Sequence, residues 1–291
     1  MNHKERIRDE LKKAGFTGYG LLKTESRNLP DIIHPSEHIM AAVYGTSDTG
    51  SAMLIATDMR VLFYDKKPFH RMLDEISYEI IGGVSYDKQA GLSHIVLKTR
   101  GGDYAIRRAN PFLAEKFVDY IEQARIDLPS KTKPKTPRAE DKAEKQTLTD
   151  LEKPLFSEVS LKFLQAKDIG VLATVDRTNK PHAATIYYTA DQYGVIRFLT
   201  KSGTQKARDI VNHHNVAFSA YDEANLQTIQ LQAYAEIESD ETMRQYTYST
   251  ISRERRYNSK TRKPPVTELS EGSFTVIRLT PTSVKYTDFS K

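Results

Sequence analysis

The chain has 291 residues, enough for two domains, and its 38% hydrophobic and 28% charged content predicts a soluble globular protein. With no cysteine it has no disulfide, thiol nucleophile or zinc–thiolate site, and no apolar run approaches bilayer length. The net charge of +5 is local: residues 252–263 hold Arg253, Arg255, Arg256, Lys260, Arg262 and Lys263 against Glu254 alone. Only Tyr257 interleaves them, so the run reads as a solvated basic loop and nucleic acid is not an expected partner.

The opening MNHKERIRDELKK lacks an apolar core, so no secretory signal is expected and the cytoplasm is the expected location. A short amphipathic helix is predicted over Lys4–Ala14. Strands follow at Ile39–Tyr44, Ala52–Ala56 and Val61–Tyr64, with Thr57-Asp58-Met59-Arg60 as the turn between the last two. Gly82-Gly83 and Gly101-Gly102 mark further turns or bulges, and His94–Lys98 with Asp103–Arg107 reads as a hairpin. Asn110 and Pro111 start a helix as N-cap and first helical residue. Phe112, Leu113, Phe117, Val118 and Ile121 are available for its buried face. The order is about seven strands and one closing helix.

That order resembles a bacterial pleckstrin-homology-like domain. The likeness is carried by Pro35-Ser36-Glu37, by Gly50 through Thr57 running into Arg60–Lys67, and by the closing helix. The resemblance implies a small curved-sheet barrel capped by a helix, a scaffold that binds proteins or anionic lipids. Lys66, Lys67, His70 and Arg71 form a basic cluster that either meets such a head group or is an ordinary charged hairpin tip. Residues 129–149, with three prolines and almost nothing apolar, read as a flexible linker between domains at 1–128 and 150–291.

In the second half Phe156–Ala166 has helical spacing, with Phe156, Val159, Phe163 and Leu164 on one face. Strands are predicted at Gly170–Val175, Ala183–Tyr188, Val195–Thr200, Val216–Tyr221, 228–237, Phe274–Leu279 and Val284–Tyr286. Turns fall at Asp176–Pro181 and Asp191–Gly194, and a helix carries Ala207, Ile210 and Val211. The pattern predicts an antiparallel barrel, so the chain as a whole is mainly β with peripheral helices.

The stretch from Phe198 to Lys206 runs from strand into a hydroxyl-rich loop and then into that helix. A helix start already bears partial positive charge, so Lys206 in the first turn is locally unfavourable unless an anion sits nearby. Amides, hydroxyls and an ammonium together suit a phosphate. The plain alternative is a strand-to-helix connection with Ser202 or Thr204 as N-cap.

Residues 156–289 resemble the pyridoxamine 5′-phosphate oxidase-like family of flavin-binding split barrels. The likeness is carried by Gly170-Val171-Leu172-Ala173-Thr174, Pro181 through Tyr188, Phe198 through Ile210, and Arg278-Leu279-Thr280-Pro281. The resemblance implies an FMN-binding split β-barrel that dimerises with itself, flavin mononucleotide (FMN) lying between the subunits. It implies cofactor contacts from Thr185, Ile186, Tyr187, Thr200, Lys201, Thr204, Gln205, Lys206, Thr228 and Gln230. Tyr187, Tyr188 and Tyr234 line the flavin ring or simply pack.

Three departures from the family pattern matter. Leu199 stands at a tyrosine position, Gln205 at an arginine position, and Ala184 where a second arginine would reach the phosphate. The vitamer oxidases continue with a tryptophan and an arginine/histidine pair that grip pyridoxal; this sequence has no tryptophan and ends at Lys291. The expectation is therefore an FMN-dependent oxidoreductase acting on a small-molecule redox substrate, not a true vitamer oxidase. The alternative is a non-catalytic dimeric adaptor with a degenerate flavin site. Some relatives hold deazaflavin or haem instead, but His213-His214 reads as a helix end favoured by the macrodipole and suggests no metal site.

Overall fold

The computed structural model describes residues 2–21, 23–67, 71–89, 91–127, 155–252, 255–257, 260–262 and 274–290. The expected linker at 129–149, His70 and the side chains of the basic run lie outside these residues.

The first half opens with α1 (His3–Ala14). Asn2 and Glu5 close a capping box at its start, and Gly15 ends it at φ 109°. Two short helices, α2 (Gly18–Leu21) and α3 (Thr24–Asn28), lead into seven antiparallel strands. These are β1 (Ile39–Ser47), β2 (Gly50–Thr57), β3 (Val61–Lys66), β4 (Arg71–Ile76), β5 (Ile81–Gln89), β6 (Leu92–Thr99) and β7 (Tyr104–Ala109). The closing helix α4 (Pro111–Asp127) is capped by the Asn110 side chain, which accepts from Phe112 N at 3.0 Å. Leu113, Phe117 and Ile121 enter the core one turn apart. Phe112 does not: it faces away, 57% exposed, with the Lys116 ammonium over its ring.

The second half comprises α5 (Glu158–Ala166), β8 (Ile169–Val175), β9 (Pro181–Ala190), β10 (Ile196–Lys201), α6 (Gln205–Asn212), β11 (Asn215–Asp222) and β12 (Gln227–Ile237). It continues through α7 (Glu241–Ile251), a small pair β13 (Arg255–Tyr257) and β14 (Lys260–Arg262), and β15 (Phe274–Asp288). Six strands close a barrel in the order β10-β9-β8-β11-β12-β15, with β15 returning to β10. Phe198, Phe218, Ile229 and Leu231 fill it. Ile237, in phase with them, is the last residue of β12 and is 53% exposed.

Two differences from the sequence-based reading have clear causes. Helix α7 starts at Asp240, whose carboxylate accepts from Met243 N at 3.1 Å, and it buries Thr247 and Ile251. The two strands expected at 274–279 and 284–286 are one strand of 15 residues. Pro281 is tolerated inside it because the register against β12 shifts there, leaving Thr282 as an extra residue. At this bulge β15 leaves β10 and takes up β4, from Ser283↔Ile76 to Asp288↔Arg71. The halves are thus joined in one thirteen-stranded sheet.

A buried charge cluster locks the same seam. Arg60, Glu37 and Glu75 are each 0% exposed. Arg60 donates to both Glu37 oxygens at 2.9 and 2.8 Å, and to Glu75 and the Leu155 carbonyl. Glu75 also accepts from Ser157 Oγ at 3.0 Å and from the Ser157 amide, so the start of α5 supplies the second positive pole. Burial raises both carboxyls. In Glu37 the guanidinium outweighs it and holds the group below the ordinary range; in Glu75 burial prevails.

Asp74, opposite Lys285 on the seam, has one oxygen without a partner; its carboxyl takes the Tyr104 hydroxyl and lies 3.6 Å from the ammonium. Burial raises its carboxyl from 3.8 to about 6. The folded state therefore holds its proton where the unfolded chain has lost it, and stability falls as pH rises from about 4 through 6. Asp74→Asn is expected to stabilise the protein by about 2 kcal/mol at pH 8 and by almost nothing at pH 4, read as urea midpoints.

Candidate functional site

The site is built where β10 turns into α6. Thr204 occupies the N-cap position, yet no side chain caps the helix. Its hydroxyl instead donates to the Lys201 carbonyl at 2.9 Å, leaving Thr200 to donate to Thr204 at 2.9 Å. Thr200 is 4% exposed, so the pair braces the loop from within. The first-turn amides of α6 point outward without an intrahelical partner. At Gly203 an added Cβ would meet no atom within 4 Å, so the crest of the loop is open.

Lys206 is half-buried in that first turn and has no ion pair or hydrogen bond among the described residues. Burial alone pushes its ammonium below the ordinary lysine range. A cation desolvated at the positive end of a helix, with no counter-charge, suits an anion. Lys201 and Gln205 are exposed beside it.

The neighbouring strand leaves room for a ligand. The β9–β10 ladder stops at Phe198↔Tyr188, whereas β10 continues against β15 to Lys201↔Phe274. The edge of β9 over residues 184–187 therefore faces the loop end of β10 without pairing to it. Of the expected contacts on β9, Thr185 is exposed and Tyr187 packs against the cluster of Leu199, Ile251 and Val276. The Ile186 side chain lies in the barrel core, so only its main chain can meet a ligand. Leu199 is held under α7 and does not face the loop.

Thr228 and Gln230 do not join this group. Thr228 donates to the Ala220 carbonyl at 3.2 Å and Gln230 is exposed, both on β12. In register they stand opposite Thr287 and Lys285, at the far end of β15 from Thr275, the partner of Thr200. Tyr188 is a core residue whose hydroxyl donates to the Leu164 carbonyl at 2.9 Å, so it cannot line a cofactor. Tyr234 is half-exposed and stacks on His214 at 4.9 Å. His213 ends α6, and the described residues contain no group of three metal-ligating side chains.

Of the basic cluster of the first half, Lys66 stands opposite Arg71 across the β3–β4 pair, and Lys66 and Lys67 line one pocket with Lys23. Lys67 pairs with the buried Asp65 at 2.6 Å and donates to the Ser51 carbonyl. Arg71 is drawn to Asp288 across the seam and lies over the Tyr286 ring. Sequence reading missed Arg60 as a buried residue because a turn position between strands is ordinarily exposed; Glu37, upstream in the same half, was the available clue.

Residues 33–123 match the family model of the bacterial PH domain, and residues 156–288 match that of pyridoxamine 5′-phosphate oxidase. No curated protein matches the chain. Solved structures similar to part of it include an F420 reductase, 23% identical over 42% of this chain and 94% of that one, with a TM-score of 0.33. General stress protein 26 of Bacillus anthracis is 21% identical over 43% and 89%, with a TM-score of 0.34. A FAD-binding protein of Mesorhizobium loti is 13% identical over 45% and 92%, with a TM-score of 0.36. No helix among the described residues is long and apolar enough to cross a membrane. The chain thus joins a stretch that matches the bacterial PH domain model to a barrel that matches the pyridoxamine 5′-phosphate oxidase model.

Proposed function

We propose that the barrel is an FMN-binding oxidoreductase module that works as a homodimer in the cytoplasm. The observation that carries this reading is Lys206, half-buried and without a counter-charge at the uncapped start of α6. The first-turn amides and Lys206 would hold the flavin phosphate, while Thr200 and Thr204 keep the loop in shape. The open edge of β9 over Thr185–Tyr187 would meet the ring system through its main chain. When bound, the flavin supplies hydride and electron transfer; the protein's part is to position it and shield it from water.

A second copy completes the site in this reading. The outer face of β8, β11 and β12 carries Val171 at 45% and Tyr221 at 56% exposure beside Ala173, Ala217 and Ser219. Such small and apolar residues on a flat sheet face suit a like surface. Thr228 and Gln230 lie on this face, so one subunit's loop would be served by its partner's β12. Ala184 and Gln205, which leave the phosphate two arginines short, favour a second reading as a non-catalytic dimeric adaptor.

Titration of the purified full chain with FMN, followed by flavin absorbance and fluorescence, tests the binding. Saturable binding, a dimer of the 33.1 kDa chain by light scattering and bleaching by NADH or NADPH are expected. Binding without bleaching by either nucleotide would favour the adaptor.

A further inference from the structure

Beyond the loop, a groove of about 520 Å³ runs between the β8–β9 turn and the outer side of α6, ending at Ser202. Arg177 and Arg208 flank it, and neither has a carboxylate partner among the described residues. Both are oriented by neutral acceptors. Arg177 Nε donates to Asn212 Oδ1 at 2.8 Å, and Asn212 Nδ2 donates in turn to the Arg208 carbonyl at 2.6 Å. Arg208 Nη1 donates to the Gly203 carbonyl at 2.5 Å. Arg177 keeps its two terminal nitrogens free for bidentate contact, and Arg208 keeps the Nε–Nη2 edge.

One oxygen of each carboxylate of the groove is engaged. Asp176 accepts from Thr178 N, Thr178 Oγ and Lys180 N at 2.7, 2.8 and 3.0 Å, closing its own turn. Asp209 is 4% exposed and accepts from Thr174 at 2.8 Å. The groove thus holds two guanidiniums and two carboxylates, and the donors free on its open side are the arginine forks, with the hydroxyl of Ser202 at hand.

We propose that this groove is a second oxyanion site, taking a phosphate or pyrophosphate group between the two guanidinium forks. That group belongs either to a free anionic substrate or to the outer end of a ligand seated in the adjoining loop. Calorimetric titration of the full chain with inorganic pyrophosphate, with and without saturating FMN, tests it. Wild type is expected to bind saturably. In a Lys206→Ala background, which removes the loop's own grip on phosphate, the Arg177→Gln/Arg208→Gln pair should weaken binding at least about tenfold, as expected for loss of charge-assisted bonds. Binding unaffected by FMN assigns the groove to a free substrate; competition assigns it to an extension of the loop's ligand. Equal affinity in the Lys206→Ala background with and without the arginine pair of substitutions, or no saturable binding to wild type up to about 10 mM, would overturn the proposal. Because pyrophosphate is titrated without flavin in one arm, failure of FMN to bind leaves this outcome legible on its own.

Discussion

Arg60→Ala is expected to lower the unfolding free energy by about 3–5 kcal/mol, the range for removing one member of a buried charge group. The substitution leaves Glu37 and Glu75, both wholly buried, without the cation they share. It also strips a donor from the Leu155 carbonyl, which belongs to the other half of the chain. Loss of the guanidinium would drive both carboxyls upward, so the variant should regain stability on acidification, a direction opposite to ordinary acid denaturation. Arg60→Lys should not rescue it, since an ammonium cannot span both carboxylates as a fork. Urea unfolding at pH 8 and pH 5 reads all three effects. A loss under about 1 kcal/mol at pH 8 would mean that the cluster does not hold the seam.

Lys206→Ala is expected to weaken FMN binding by about 1–3 kcal/mol, roughly tenfold to a hundredfold, by removing a charge-assisted bond to the phosphate. The same change should leave the ligand-free protein as stable as before or more so. Its ammonium is desolvated by burial and gains nothing from a partner in return. Opposite signs for binding and stability distinguish a ligand-holding lysine from a structural one. Wild-type affinity should also decline with rising pH sooner than an ordinary lysine would allow, because burial has already lowered the ammonium's hold on its proton. Fluorescence titration across pH, paired with urea unfolding of both proteins, checks this. Unchanged affinity in the variant would remove Lys206 from the site.

Much of this was legible in the residues. The alternation of Ile229, Leu231, Ala233 and Ala235 fixed β12, and Asn110-Pro111 fixed the start of α4, because each rests on a local rule with one geometric solution. The loop at 201–206 was visible for the same reason: a lysine in a first turn conflicts with the helix field. What escaped was set by distant partners. Arg60 looks like a turn residue until Glu37, Glu75 and Ser157 arrive from elsewhere in the chain. The union of β15 with β4 depends on a bulge at Thr282, next to Pro281, and proline within a strand pattern reads as a break. The separation of Thr228 and Gln230 from the loop is likewise a property of register, which a linear pattern does not express.

The most direct test of the central claim compares the dissociation constants of FMN and riboflavin on the full-length protein at low salt. These ligands share the ring and differ in the phosphate alone. A phosphate gripped by the start of α6 and by Lys206 should make FMN bind at least about a hundredfold more tightly, and that advantage should shrink in Lys206→Ala. Equal affinity for the two, or no binding of either, would contradict it.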